Sequence, residues 1–267
     1  MRTQVIGQQA SRWLRPVALK VPAITVWFWV IKLLSTAMGE STSDFLVFHI
    51  NPYVAVVLGS LGLVLAVAIQ LAVPRYQAPV YWFAVVMIAV FGTMIADVLH
   101  VVVGIPYAVS TAALGIGLAI VFVVWQHVEG TLSIHSIVTT RRELFYWAAV
   151  IATFALGTAA GDLVASTLGV GYGPAAVIFA IAFVVPAIGY RWLGWNAIVA
   201  FWAAYIITRP LGASIADWLG KPMSVGGRGY GDGVVGGVLA VLLVAVVAYL
   251  ATTKADVRPP AVGARRL

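Results

Sequence analysis

Nine acidic residues occur in this chain of 267, and five of them fall in one recurring pattern. A glycine is followed five residues later by an aspartate and preceded by ten residues by a tryptophan. The four copies are Trp29–Gly39–Asp44, Trp82–Gly92–Asp97, Trp147–Gly157–Asp162 and Trp202–Gly212–Asp217. Another aromatic residue, Phe28, Tyr81, Tyr146 or Phe201, stands before each tryptophan, and Glu40 follows the first glycine. Each copy lies in an apolar run long enough to cross a bilayer. Carboxylates at membrane depth cost free energy, so their fourfold recurrence points to function.

Tryptophan and aspartate are separated by fifteen residues, roughly 22 Å along a helix at about 1.5 Å per residue. Positions three before the glycine, one after it and five after it share one helix face. That stripe reads Thr36, Glu40, Asp44 in the first copy and Ala89, Thr93, Asp97 in the second. It reads Phe154, Thr158, Asp162 in the third and Arg209, Ala213, Asp217 in the fourth. His100, three residues past Asp97, is placed to join that face. Converged on a common axis, the stripes would form an oxygen-rich cage with five carboxylates. Lys32 and Arg209 would offset two charges and leave about three negative equivalents. Oxygen ligands without cysteine or paired histidine suit hard cations such as Mn²⁺, Mg²⁺ or Ca²⁺. The same carboxylates could carry protons, the basis of proton-coupled exchange.

The elements that must hold these residues are membrane helices. Hydrophobic residues make up 62% of the chain and charged ones 9%, with a mean hydropathy of +1.01. Soluble domains carry about a quarter charged residues. Eight apolar segments approach the roughly 20 residues a span needs: 22–43, 51–73, 79–103, 107–126, 144–168, 174–190, 195–219 and 232–252. They lack the period-two alternation of barrel strands. The expected fold is all-α: eight transmembrane helices as four parallel-oriented hairpin repeats (22–73, 79–126, 144–190, 195–252) around an axis along the membrane normal. Residues 1–21 form a basic N-terminal segment, 22–252 a single transmembrane domain and 253–267 a tail. Spans 2, 4, 6 and 8 read as scaffold, with Gln70, Ser110, Thr111 and Asp232 as their few polar exceptions. The glycine supplies close helix approach or a point of unwinding. The aromatic pair is expected to anchor the helix ends at the bilayer interface. Pro186 and Pro210 are expected to kink their helices.

Twelve Lys and Arg flank the spans on the side of the N-terminus and two, Lys221 and Arg228, on the other. That asymmetry predicts both termini inside. A full-length span follows the basic start, so no removable signal peptide is expected. The net charge of +7 lies in short segments between apolar runs and is not a nucleic-acid footprint. Without cysteine there is no disulfide, thiolate site or cysteine nucleophile. The glycine-rich stretch 226–237 lacks the lysine of a phosphate loop and reads as a turn leading into a helix. His127 and His135 have no ligand spacing and are expected to be solvated.

Two segments, Thr36-Ala-Met-Gly-Glu-Ser-Thr-Ser-Asp44 and Thr208-Arg-Pro-Leu-Gly-Ala-Ser-Ile-Ala-Asp-Trp218, resemble signature segments of an uncharacterised bacterial inner-membrane protein family. Its members are described as membrane-anchored proteins of repeated hairpins. The resemblance covers nearly the whole chain and implies the eight-span repeat, with no activity attached.

Together these features predict a secondary transporter or channel for a hard cation, foremost Mn²⁺-like efflux coupled to protons. Glu40, Asp44, Asp97, Asp162 and Asp217 would be ligands or proton carriers, Thr36, Thr93 and Thr158 would complete the shell, and Lys32 and Arg209 would balance charge. The alternative is a membrane scaffold or assembly protein whose polar stripes are interhelical hydrogen bonds. An intramembrane aspartyl hydrolase is the least favoured, because no second aspartate segment matches Gly161–Asp162. No catalytic residue and no covalent cofactor are expected. The partners are lipid and a small cation or proton, and the sequence is compatible with a homo-oligomer.

Overall fold

The computed structural model describes residues 19–257. Expectations for 1–18 and 258–267 lie outside them. The described residues form eight long helices and no strand: α1 (Val26–His49), α2 (Pro52–Ala72), α3 (Ala78–Asp97), α4 (Tyr107–Glu129), α5 (Thr140–Asp162), α6 (Tyr172–Trp192), α7 (Ala197–Gly220) and α8 (Asp232–Thr253). Seven are long and apolar enough to cross a membrane, which makes this a polytopic all-α membrane protein. The eighth, α1, has the length at 24 residues but carries Lys32, Glu40, Asp44 and a run of serines and threonines. It runs six residues beyond the expected end at 43. Its polar face is sheltered by α3, α7 and α8, so lipid does not have to accept it.

The odd helices form the interior. α1 packs on α3, α3 on α5, α5 on α7, and α7 closes back on α1. In α3, α5 and α7, 44–67% of the most apolar stretch is buried, against 17–28% in the even helices, which lie outside. The expected scaffold role of the even helices fits, but the two-helix hairpin is not the packing unit. Each outer helix leans on the inner helix of the next repeat: α2 on α3, α4 on α5, α6 on α7, and α8 on α1. Within the first three repeats the two helices scarcely touch, and in the fourth α8 meets α7 less extensively than it meets α1.

Glycine fixes how closely the ring closes. A Cβ added at Gly39 would strike Ala89, at Gly92 Phe154, at Gly157 Arg209, and at Gly212 Thr36. Every one of these partners stands three residues before the next repeat's glycine, so a single contact is used four times around the ring. The four glycines sit inside continuous helix, which favours close approach over unwinding. Pro186 and Pro210 likewise lie inside uninterrupted helices. Departure from α geometry comes elsewhere: single π-helical turns, Val98–Val102 and Leu163–Thr167, follow directly on Asp97 and Asp162.

The aromatic pairs close the same ring at one end. Phe28 packs on Trp82 (5.7 Å between ring centroids), Tyr81 on Trp147 (5.4 Å), Tyr146 on Trp202 (6.2 Å) and Phe201 on Trp29 (5.8 Å). Tyr81 and Tyr146 also share a hydrogen bond through their hydroxyls. All but Trp29 are buried. This overturns the expectation of interfacial anchors. The rings face the axis because the four inner helices converge there, and aromatic area packed against aromatic area fills the space that four backbones leave.

Candidate functional site

Along the axis from the aromatic end, the first charged group is Lys32. Its ammonium is fully buried, has no hydrogen-bond partner among the described residues, and lies over the rings of Phe154 (3.6 Å to the centroid) and Tyr205 (3.9 Å). Cation–π attraction to two faces takes the place of a counter-ion. The expected charge balance between Lys32 and the carboxylates is therefore not what the geometry provides.

Arg209 stands further along, and all four repeats meet at it. Its Nη2 donates to Glu40 Oε2 (2.5 Å), to Thr158 Oγ1 (2.7 Å) and to Thr93 Oγ1, while Nη1 donates to the Thr36 carbonyl (3.2 Å). Thr93 in turn donates to Glu40 Oε2 (3.1 Å). The local sequence explains the convergence. Three repeats present an oxygen one residue after the glycine. The fourth presents Ala213 there, and the vacated volume takes the guanidinium that α7 supplies one turn earlier. Arg209 and Glu40 are both buried, so each needs the other: an unpaired charge at this depth costs several kcal/mol, of order 3–5. Thr36 uses its own hydroxyl on the Leu33 carbonyl (2.8 Å) and contributes to this node through its backbone.

At the aspartate end, Glu40, Asp44 and Asp217 are all buried and bring carboxylate oxygens within 4.8 Å of one another. Lys221 reaches among them, ion-paired to Asp44 and 3.8 Å from Asp217 Oδ1. Burial disfavours its ammonium, but Asp44 and then Asp217 outweigh that and hold its pKa above the ordinary lysine value. Lys221 thus takes the balancing role assigned to Lys32. In the sequence it counts only toward orientation, and its place four residues after Asp217 is the available signal. Asp97 and Asp162 lie outside this trio; both are half-buried at their π-turn junctions. His100 does not join Asp97, since its Nδ1 meets the Ile105 carbonyl (3.0 Å) and its ring stacks on Tyr107 (3.6 Å). The described groups that can cluster around an ion thus come from the first and fourth repeats, whose inner helices are neighbours in the ring.

A second polar centre, beyond the aromatic layer, escaped the reading of the repeats. Glu143 is fully buried and accepts from Lys20 Nζ (2.5 Å), Gln70 Nε2 (2.9 Å) and Trp147 Nε1 (3.4 Å). Lys20 also donates to the Leu71 carbonyl (3.1 Å). The only hint in the sequence is Glu143 one helical turn before the repeat tryptophan. Nearby, Tyr76 donates to Asp256, whose carbonyl accepts from Ala23 N (2.8 Å). His127, in contrast, is exposed as expected.

The model of one family, described as Repeat of Unknown Function (DUF347), matches at residues 27–76, 80–131, 145–194 and 200–256. This chain belongs to the DUF347 repeat family. The four matches coincide with α1–α2, α3–α4, α5–α6 and α7–α8, so the sequence repeat is an inner helix with the outer helix that follows it. No curated protein and no solved structure matches the chain. Each DUF347 unit supplies one inner helix to the ring, and through it a member of the aromatic layer and of the Arg209 node.

Proposed function

We propose that this DUF347 protein is a secondary transporter or channel for a hard cation, with Mn²⁺-like efflux coupled to protons as the leading form. The observation that carries this reading is the buried trio Glu40, Asp44 and Asp217, with oxygens within 4.8 Å of one another. Three carboxylates at that spacing match what Mn²⁺, Mg²⁺ or Ca²⁺ take as oxygen ligands. Asp97 and Asp162 would serve as further ligands or proton carriers on the way to the trio, each at the start of a π turn, a feature frequent at functional sites. The five carboxylates against Arg209 and Lys221 leave about three negative equivalents, enough for a divalent ion and a proton. In this reading the aspartate end faces outward, the termini lie in the cytoplasm, and the membrane is the bacterial inner membrane.

The node at Arg209 supports a second reading, a non-transporting scaffold, because its hydrogen bonds span all four inner helices. Flux separates the two. Purified protein in lipid vesicles should carry Mn²⁺ down its gradient with counterflow of protons, and Asp217→Asn or Asp44→Asn should reduce that flux at least tenfold while the unfolding midpoint is held. Vesicles in which wild type moves no Mn²⁺, Mg²⁺, Ca²⁺ or proton would leave the scaffold.

A further inference from the structure

The segment after α7 does more than connect it to α8. It folds back along the end of α7 through four backbone hydrogen bonds: Arg228 N to Trp218 O (2.7 Å), Gly229 N to Lys221 O (2.8 Å), Tyr230 N to Leu219 O (3.1 Å) and Gly231 N to Gly220 O (3.1 Å). Gly226, Gly229 and Gly231 have φ of 88°, 77° and 84°, values that side-chain-bearing residues rarely adopt. A Cβ at Gly227 would strike the Lys221 carbonyl. The Arg228 guanidinium stacks on Trp218 (4.8 Å), while Met223, Val225 and Tyr230 face outward. The result is a short, tightly built strap whose first residue, Lys221, is directed inward to the carboxylates.

We propose that Lys221 is a tethered competitor: its ammonium occupies the Glu40–Asp44–Asp217 site when no cation is bound and swings out toward water, its backbone held by this strap, when a divalent ion enters. The inference rests on the cation reading above and names the regulation of the same site. Its physical basis is like-charge exclusion. Lys221 lies ion-paired with Asp44 and 3.8 Å from Asp217, so a divalent ion held by the same oxygens would stand roughly 4 Å from an ammonium, in a partly dehydrated place where Coulomb repulsion is several-fold stronger than in water. One positive charge must leave. The side chain of Lys221 is the part that can move: the strap anchors its backbone at the rim of the bundle, and its flexible four-carbon stem lets the ammonium swing from the carboxylates to water.

Two measurements test this. In the unmodified full-length protein, saturating Mn²⁺ should raise the labelling of Lys221 by a water-soluble amine-reactive reagent at least fivefold, read by mass spectrometry, with Lys254 as the exposed reference. In calorimetric titrations with Mn²⁺ alone, Lys221→Met and Lys221→Gln should each bind at least tenfold more tightly than wild type, and Lys221→Arg should stay near it. Wild type that binds Mn²⁺ with no change in Lys221 labelling, or Lys221→Met that binds no more tightly, overturns the competitor and leaves the carboxylate site standing. If neither wild type nor variants bind Mn²⁺, Mg²⁺ or Ca²⁺, the cation reading itself falls and takes the competitor with it.

Discussion

The two ends of the inner bundle are built from the same repeat yet obey different rules. At the aromatic end the four copies act alike: each first aromatic packs on the next repeat's tryptophan, and the ring closes. At the aspartate end the symmetry is broken. One repeat supplies Glu40, one supplies Arg209, two supply threonine, and only two of the four aspartates join the trio with Glu40. Packing of apolar surface is non-directional and tolerates fourfold repetition. Four buried like charges facing one another do not, so the copies had to diverge in sign until each buried charge met a partner.

Breaking the polar end should give the largest effect. Arg209→Met leaves Glu40 buried without its guanidinium and is expected to destabilise by about 3–5 kcal/mol. Unfolding in mild detergent checks this, and Arg209→Met with Glu40→Gln should recover most of the loss. A single-variant loss under 1 kcal/mol would mean that charge pairing does not organise this end. The aromatic end sharpens the contrast. Trp82→Ala should lose about 3 kcal/mol by leaving a cavity, and Trp147→Ala about 1 kcal/mol more because it also removes a donor to buried Glu143; a loss under 1 kcal/mol at either would argue against the ring.

Between the two ends, Gly39→Ala and Gly157→Ala force a methyl into Ala89 and into Arg209, and each should lose roughly 1–3 kcal/mol. Gly117→Ala, with open space around it, should be neutral or gain a few tenths through helix propensity. The neutral hydroxyls fall between these two. Thr93→Val and Thr158→Val should lose about 1 kcal/mol each, with Thr93 the larger because it serves both Glu40 and Arg209. The same unfolding series ranks them.

Much of the site was legible in the sequence because repetition exposes a helix face. The stripe Thr36–Glu40–Asp44 with its three counterparts identifies the positions that turn inward, and Arg209, Glu40, Thr93 and Thr158 meet there. The burial of the aromatic pair was not legible, since a tryptophan near a helix end looks the same whether it faces headgroups or an axis. Lys221 and Glu143 escaped because each pairs across long sequence separation: Lys221 with Asp44, 177 residues away, and Glu143 with Lys20, 123 residues away.

The sequence by itself determined the class of fold, the number of helices, the repeat and the inward face, because each depends on local composition and helical period. Only the tertiary structure decided which outer helix serves which inner one, that the aromatics close a ring, and which cation stands by which carboxylate. Those outcomes depend on how four nearly identical helices share one axis. At that axis a single glycine contact sets the spacing, and the requirement that every buried charge find a partner selects among copies that look alike in one dimension.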